Sequence, residues 1–275
     1  MRLPRIFTDQ ALTEDLEVEL GHQAARHLVS VLRFATGDKV ILFNGEGGEY
    51  SAQLTVAGSK KVSALIGTFS SGIPPSPLSI TLAIGLSRGD RMDWLVQKSI
   101  ELGVRKITPL FTERSEVKLN AQRAAKKVRH WQEIARSACE QSGQNVIAEI
   151  DLPTNLNTTL QQAVKTRTTN DVVDDTAGNV ADKAAGNATN NTSYGFILDP
   201  LADNSLAGRI AAHTGPFPKS VLLLSGPEGG FTTDEVAIAQ DHGILSATIG
   251  PRILRTETAP IAALSLLQAQ WGDWL

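Results

Sequence analysis

Two glycine-anchored segments in the last third of the chain hold the residues best suited to chemistry. They are Gly226-Pro227-Glu228-Gly229-Gly230 and Gly250-Pro251-Arg252-Ile253-Leu254-Arg255-Thr256-Glu257-Thr258-Ala259. Each follows a short apolar run and precedes a stretch compatible with a helix. Glycine turns at strand ends leave backbone N–H and C=O groups open to a nucleotide-like ligand. Arg252 and Arg255 stand three residues apart, and their planar guanidinium groups suit a phosphate or a base edge. Glu257 either complements the dipole at a helix start or accepts a hydrogen bond from a ligand. Thr256 or Thr258 is expected to cap that helix. Together these residues imply a small adenosine-containing cofactor and an anionic substrate.

Several chemistries are excluded or disfavoured. Gly226–Gly230 lacks the Lys-Ser or Lys-Thr that completes a P-loop, and neither it nor the Gly85–Gly89 segment is a G-x-G-x-x-G dinucleotide fingerprint. The five histidines show no HxH or HExxH spacing, so no metal is expected. Cys139 is the one cysteine. It cannot form an internal disulfide, it is expected to be a small buried residue, and the chain reads as cytoplasmic. The N-terminus lacks an apolar signal core, and no apolar run is long enough to span a bilayer.

Earlier positions add candidates. Arg114 in Phe111-Thr112-Glu113-Arg114-Ser115 follows a strand. Glu140 and Gln141 close a long basic helix, and Gly103 has the place of a C′ glycine. The formal net charge is −3, with 26 basic and 29 acidic residues, but charge is uneven. From Arg105 to Arg136 nine Lys/Arg face three acids, a local balance of +6. Such a stretch is either a polyanion footprint or a solvated helix face.

The elements that must position these residues divide into two parts. Residues 1–70 read as a small, mainly β domain with strands over 39–45, 49–56 and 61–69, a hairpin at Gly45–Gly48 and a helix over 23–32. Residues 71–77, rich in proline, form a linker. Residues 78–275 alternate strands (79–86, 106–111, 194–198, 220–224, 245–249) with helices (91–102, 120–142, 154–165, 233–241, 258–271). That pattern predicts a mostly parallel α/β sheet, and ligands on such sheets bind beyond the carboxyl ends of the strands. Residues 166–193, built from Thr, Asn, Ala, Asp and Gly, form a low-complexity insertion too polar to fold by burial.

The motifs KSIELGV (98–104), FTERS (111–115), ACEQSG (138–143), GPEGG (226–230) and GPRILRTETAP (250–260), in this order, resemble those of the bacterial 16S rRNA (uracil-N3)-methyltransferases of the knotted SPOUT superfamily. The resemblance covers nearly the whole chain. It implies a SPOUT α/β trefoil-knot domain preceded by a small PUA-like β-barrel domain, and a homodimer. It implies S-adenosyl-L-methionine held by Leu198, Leu224, Gly226, Pro227, Glu228, Gly230, Ile249, Gly250, Ile253, Leu254 and Ala259. Arg114 and Arg255 would stand near the transferred methyl and the target uracil. Arg5, His27, Arg33, Arg114 and Arg252 would contact RNA, and the acceptor would be one uridine of 16S rRNA in the small ribosomal subunit. Uracil N3 must lose a proton to act as nucleophile, and Glu257, Glu140 or water could take it. Gln144 departs from the family pattern, which continues EQSG with arginine. A methyltransferase for another RNA base or a ribose, or a non-catalytic RNA-binding protein, stays open beside this reading.

Overall fold

The computed structural model describes residues 3–58, 61–171 and 193–274, except for the side chains of 165–171. All but the ends of the expected 166–193 insertion lies outside the described residues. The chain forms two compact units, one of 1–75 with 133–147 and one of 76–132 with 148–275.

The N-terminal unit is built on a five-stranded sheet of order β1-β3-β4-β5-β2. Its strands are β1 (Arg5–Phe7), β2 (Glu17–Leu20), β3 (Lys39–Phe43), β4 (Glu49–Ala57) and β5 (Val62–Ser70). β1 runs parallel to β3, and the other pairs are antiparallel. Alternation explains the buried face: Val18 and Leu20 on β2, Val40 and Leu42 on β3, and Ala52 and Leu54 on β4 point into one core. The turn between β3 and β4 falls on the expected glycines, with Gly45, Gly47 and Gly48 at positive φ. Strands β1 and β2 were not expected, because three or four residues are too few to display a period. Helix α1 (His22–Ala25) continues as a π-helical stretch Arg26–Val31 and buries Leu28 fully against the sheet. That burial contributes about 1.5–3 kcal/mol.

The C-terminal unit is a parallel sheet of order β12-β10-β11-β6-β7-β8, with β9 also on β7. In chain order it comprises β6 (Ser79–Gly85), α2 (Asp90–Glu101), β7 (Val104–Phe111), α3 (Ala121–Ser142), β8 (Glu149–Ile150), β9 (Thr154–Asn155), α4 (Leu156–Asp171), β10 (Ser193–Leu198), α5 (Leu206–Ala211), β11 (Ser220–Ser225), α6 (Thr233–Asp241), β12 (Leu245–Ala247) and α7 (Thr258–Trp271). The latter half of α3 belongs to the N-terminal unit. Central strands β6, β10 and β11 are buried almost continuously, as expected when helices cover both faces. Gly103 has φ +82 and closes α2 by donating to the Ile100 carbonyl at 2.9 Å.

Three expected elements are corrected. The helix placed at 154–165 starts at Leu156, because Thr154 and Asn155 pair with Leu110 and Phe111 of β7. The strand placed at 245–249 stops at Ala247, because Thr248 turns to bond Asn204 and Leu206. Helix α5 was not foreseen. Gly208 lowers its propensity, and a Ser205 side chain accepting from the Gly208 amide supplies the cap instead. Among the described residues no helix is long and apolar enough to cross a membrane.

Candidate functional site

A cavity of about 310 Å³ opens beyond the carboxyl ends of β10, β11 and β12. The chain goes from β10 to β11 on one side, then to β12 on the other side of β10, so strand order reverses here. Crevices at such reversals are where open α/β sheets bind ligands.

One wall is the turn after β11. The Gly230 amide donates to the Pro227 carbonyl at 2.8 Å, with Gly230 at φ +68. The turn is pressed against its neighbours. A Cβ on Gly226 would lie 2.9 Å from the Gly230 carbonyl carbon, and one on Gly85 would lie 2.4 Å from the Pro227 nitrogen. Gly226 and Gly85 are required by backbone approach, and Gly230 by its conformation.

Side chains from three elements fasten this turn. Arg114 Nη1 donates to the carbonyls of Gly229 at 2.9 Å and Phe231 at 3.2 Å. The Glu228 carboxylate accepts from Arg91 Nη1 at 3.0 Å and the Arg88 amide at 3.3 Å. Buried Glu235 accepts from the amides of Glu113 at 3.0 Å and Thr232 at 2.9 Å, and the Thr232 hydroxyl accepts from the Glu235 amide at 3.2 Å. Ser115 Oγ donates to the Leu86 carbonyl at 3.1 Å. Sequence reasoning missed Glu235, Ser115 and Arg91. The Thr232-x-x-Glu235 capping box was readable, but its second task, holding Glu113, is set by the tertiary structure.

The opposite wall is made by Asp199-Pro200-Leu201 and by 247–256. Gly250 takes φ +133 with nothing within 4 Å of a built Cβ, and Thr248 Oγ1 holds it by donating to its carbonyl at 2.9 Å and accepting from its amide at 3.2 Å. Among the described residues the amides of Arg252, Ile253, Leu254 and Thr256 have no hydrogen-bond partner in the protein. Backbone donors left without internal partners beside a cavity are available to a ligand with acceptor atoms. Leu201 and Ile253, 89% and 88% exposed, form apolar lips at its mouth.

The cavity is lined by Leu198, Gly226, Pro227, Glu228, Gly230, Ile249, Ile253, Leu254 and Ala259, together with Arg114 and Arg252. Leu224 lies in the core of β11, and Gly250 shapes the turn beside the wall. Arg255 and Glu257 stand at the start of α7. Arg255 is exposed, and its carbonyl accepts from the amides of Thr258 at 2.9 Å and Ala259 at 3.0 Å. The expected threonine cap is corrected: the N-cap position falls to Glu257, which makes no capping hydrogen bond, while Thr256 lines the cavity.

The other candidates belong to the N-terminal unit. Arg5 is buried, ion-paired with Glu49, hydrogen-bonded to Asn145 and to the Gln144 carbonyl at 3.2 Å, and stacked over Phe43 at 4.7 Å. Arg33, just past the π-helical stretch Arg26–Val31, takes φ +60, an uncommon conformation for a side-chain-bearing residue. His27 and Glu140 line a second cavity, of about 320 Å³. Glu140 Oε1 accepts from the Phe7 amide at 3.0 Å. Burial pushes the Glu140 carboxyl above its ordinary range, against the opposing effects of that hydrogen bond and of the charges of His27 and Arg5. Among the described residues no three His, Cys, Asp or Glu side chains gather as a metal site.

Comparison with known proteins agrees with this geometry. A family profile described as an RNA methyltransferase domain matches residues 74–268, and one described as an RNA methyltransferase PUA domain matches 20–67. The chain is 30% identical to ribosomal RNA small subunit methyltransferase E of Bacillus subtilis, over 96% of this chain and 94% of that one. It is similar to the structure of a ribosomal RNA small subunit methyltransferase E from Neisseria gonorrhoeae bound to S-adenosyl methionine (34% identity, TM-score 0.82, all of both chains). It is also similar to that of a putative methyltransferase from Legionella pneumophila with bound SAM (35% identity, TM-score 0.82, 99% of this chain and all of that one).

Proposed function

The chain belongs to the RNA methyltransferase family, with a PUA domain followed by a SPOUT methyltransferase domain, and from that premise we propose that it methylates N3 of one uridine in the 16S rRNA of the small ribosomal subunit, using S-adenosyl-L-methionine. The coarser part, methylation of ribosomal RNA by an S-adenosylmethionine-dependent enzyme, has the support of full-length relatives. The observation that carries the cofactor reading is the row of unpartnered amides at Arg252, Ile253, Leu254 and Thr256 beside the cavity. These donors fit the acceptor nitrogens of an adenine, and the apolar lips Leu201 and Ile253 fit its faces. The glycine turn at 226–230 leaves main chain, rather than side chain, against the rest of the ligand.

The cofactor supplies an electrophilic methyl group on a sulfonium. What the protein adds is mainly positioning. Arg114, clamped to the turn, and Arg255, free at the start of α7, are the cations proposed to stabilise negative charge on uracil as N3 loses its proton. His27, Arg33 and Arg252 are proposed to contact the RNA, whereas the buried Arg5, held by Glu49 and Asn145, is not available to it. The proton acceptor is Glu257, Glu140 or water, and the enzyme is proposed to work as a homodimer.

The test is direct. Purified protein, labelled S-adenosylmethionine and small subunits lacking the modification are combined, and the digested RNA is resolved into nucleosides. Labelled 3-methyluridine is the expected product. A different methylated nucleoside would overturn the atom assigned, and failure of the pure protein to bind S-adenosylmethionine would overturn the activity.

A further inference from the structure

Between β7 and the middle of α3 the C-terminal unit carries cations that its own fold does not use. Of the nine Lys/Arg from Arg105 to Arg136, the last of which lies in the N-terminal unit, three have structural work. Lys106 pairs with Asp151 at 2.9 Å, Arg114 fastens the 226–230 turn, and Arg136 pairs with Glu133 at 2.6 Å. Lys118, Arg123, Lys126, Lys127 and Arg129 make no ion pair among the described residues. Lys118, Arg123, Lys126 and Arg129 are exposed.

Their placement is ordered. Helix α3 turns Ala124, Trp131 and Ala135 inward. At 3.6 residues per turn, Arg123, Lys126 and Arg129 fall on the outward half of the helix, while Lys127, only about 60° from the buried stripe, sits at its border. From Ala121 to Gln132 the helix has no acidic residue. This pattern runs against helix stability. Like charges three and four residues apart repel, and the amino end of a helix favours anions over cations. A local rule broken without internal compensation points to a ligand that compensates it.

We propose that Lys118, Arg123, Lys126 and Arg129 form a track for the phosphodiester backbone of RNA, apart from the cofactor cavity. This deepens the rRNA reading above and rests on it for the identity of the RNA. The chemistry favours a phosphate chain over an acidic peptide. The other exposed residues from Lys118 to His130 are Asn120, Ala121, Gln122 and His130, so this stretch offers no large apolar anchor for a peptide. Phosphate contacts need only charge and donors. The dimensions also fit. Arg123 and Arg129 are separated by about 9 Å of helix axis at about 1.5 Å per residue. One strand of stacked nucleic acid, at about 3.4 Å per phosphate, passes about three phosphates over that length. Such a track sets register without reading sequence.

The experiment is the salt dependence of RNA binding. Binding of a labelled small-subunit rRNA fragment is measured over a KCl series for the wild type and for Lys126→Gln/Arg129→Gln. A control, Lys61→Gln/Lys98→Gln, removes two cations that pair with Glu19 at 3.2 Å and Glu101 at 2.7 Å. Loss of two phosphate contacts is expected to flatten the slope of log K against log salt by about 1.4, at about 0.7 per contact. The control is expected to change it far less, and an unrelated RNA should lose affinity equally. Lys126→Glu provides a second variant with the same direction. An unchanged slope in both track variants, or an equal change in the control, would overturn the proposal. Calorimetry with S-adenosylmethionine in the absence of RNA separates the two readings. Failure there with the slope effect intact removes the enzyme assignment and leaves the track.

Discussion

The two glycine turns that flank the cavity look alike in sequence and are built differently. The 226–230 turn is a packed cradle. Its Gly226 and Gly229 are crowded by the backbone of Gly230 and the stem of Arg114, Gly85 presses on it at Pro227, and Arg114, Glu228 and Glu235 tie it to neighbouring loops. The 250–256 turn is open. Gly250 has free space around it, only Thr248 pins it, and its amides wait for a partner. The difference teaches that a glycine can be required because atoms crowd it or because its φ is positive. Gly226 and Gly229 are of the first kind, and Gly230 and Gly250 of the second.

Four substitutions sharpen or break that contrast. The largest effect is expected for Gly85→Ala, whose new methyl would meet the Pro227 nitrogen at 2.4 Å. A loss of about 3 kcal/mol is expected in urea unfolding, together with loss of S-adenosylmethionine binding. A stable, binding-competent variant would end the packed-cradle account. Next, Arg255→Ala, at the open turn, should lower methyl transfer by roughly 10²-fold while cofactor affinity, read by calorimetry, stays near wild type. An unaltered rate would strip Arg255 of its role. Gly250→Ala adds no clash but strains φ, so unfolding should show a loss of about 1 kcal/mol. A loss as large as that at Gly85 would mean the open turn is packed after all.

The smallest effect is expected away from both turns, at Glu140. Its folded carboxyl holds a proton more tightly than it does when unfolded. The stability this contributes is complete below the unfolded value and is lost as pH rises through the higher folded one. Glu140→Gln should therefore gain on the wild type as pH rises above the ordinary glutamate range. A difference that ran the other way would show that the Phe7 hydrogen bond and the charges of His27 and Arg5 outweigh burial.

The long periodic elements were legible in the sequence. Helices α2, α3, α6 and α7 and the central strands are bounded by turn residues and carry enough residues to show a period. Both glycine turns could be placed at strand ends for the same reason. Short pieces escaped. β1, β2, β8 and β9 hold two to four residues each, and their pairing is decided by partners distant in the chain. In the site, Asp199–Leu201 carried no signal beyond the end of an apolar run, although it forms part of the cavity wall. Arg5 reads as a free terminal cation until Glu49 and Asn145 are seen around it. Glu235 reads as a capping residue and turns out to hold a second loop as well.

The N-terminal unit is discontinuous in the chain, and this bears on its synthesis. Residues 1–75 leave the ribosome first, yet the groups that complete their packing arrive with residues 133–147. Asn145 and the Gln144 carbonyl are needed by the buried Arg5, and Glu140 by the Phe7 amide. At roughly 5–20 residues per second, the roughly 70 residues from Ser76 through Asn145 take roughly 4–14 s to make. Through that interval β1 stands at the sheet edge with its later partners unmade, a window in which nascent chains invite chaperones and proteases. A unit whose strands are translated before residues 133–147 is thus finished only when those residues arrive, and its quality depends on the pace at which the stretch between them is read.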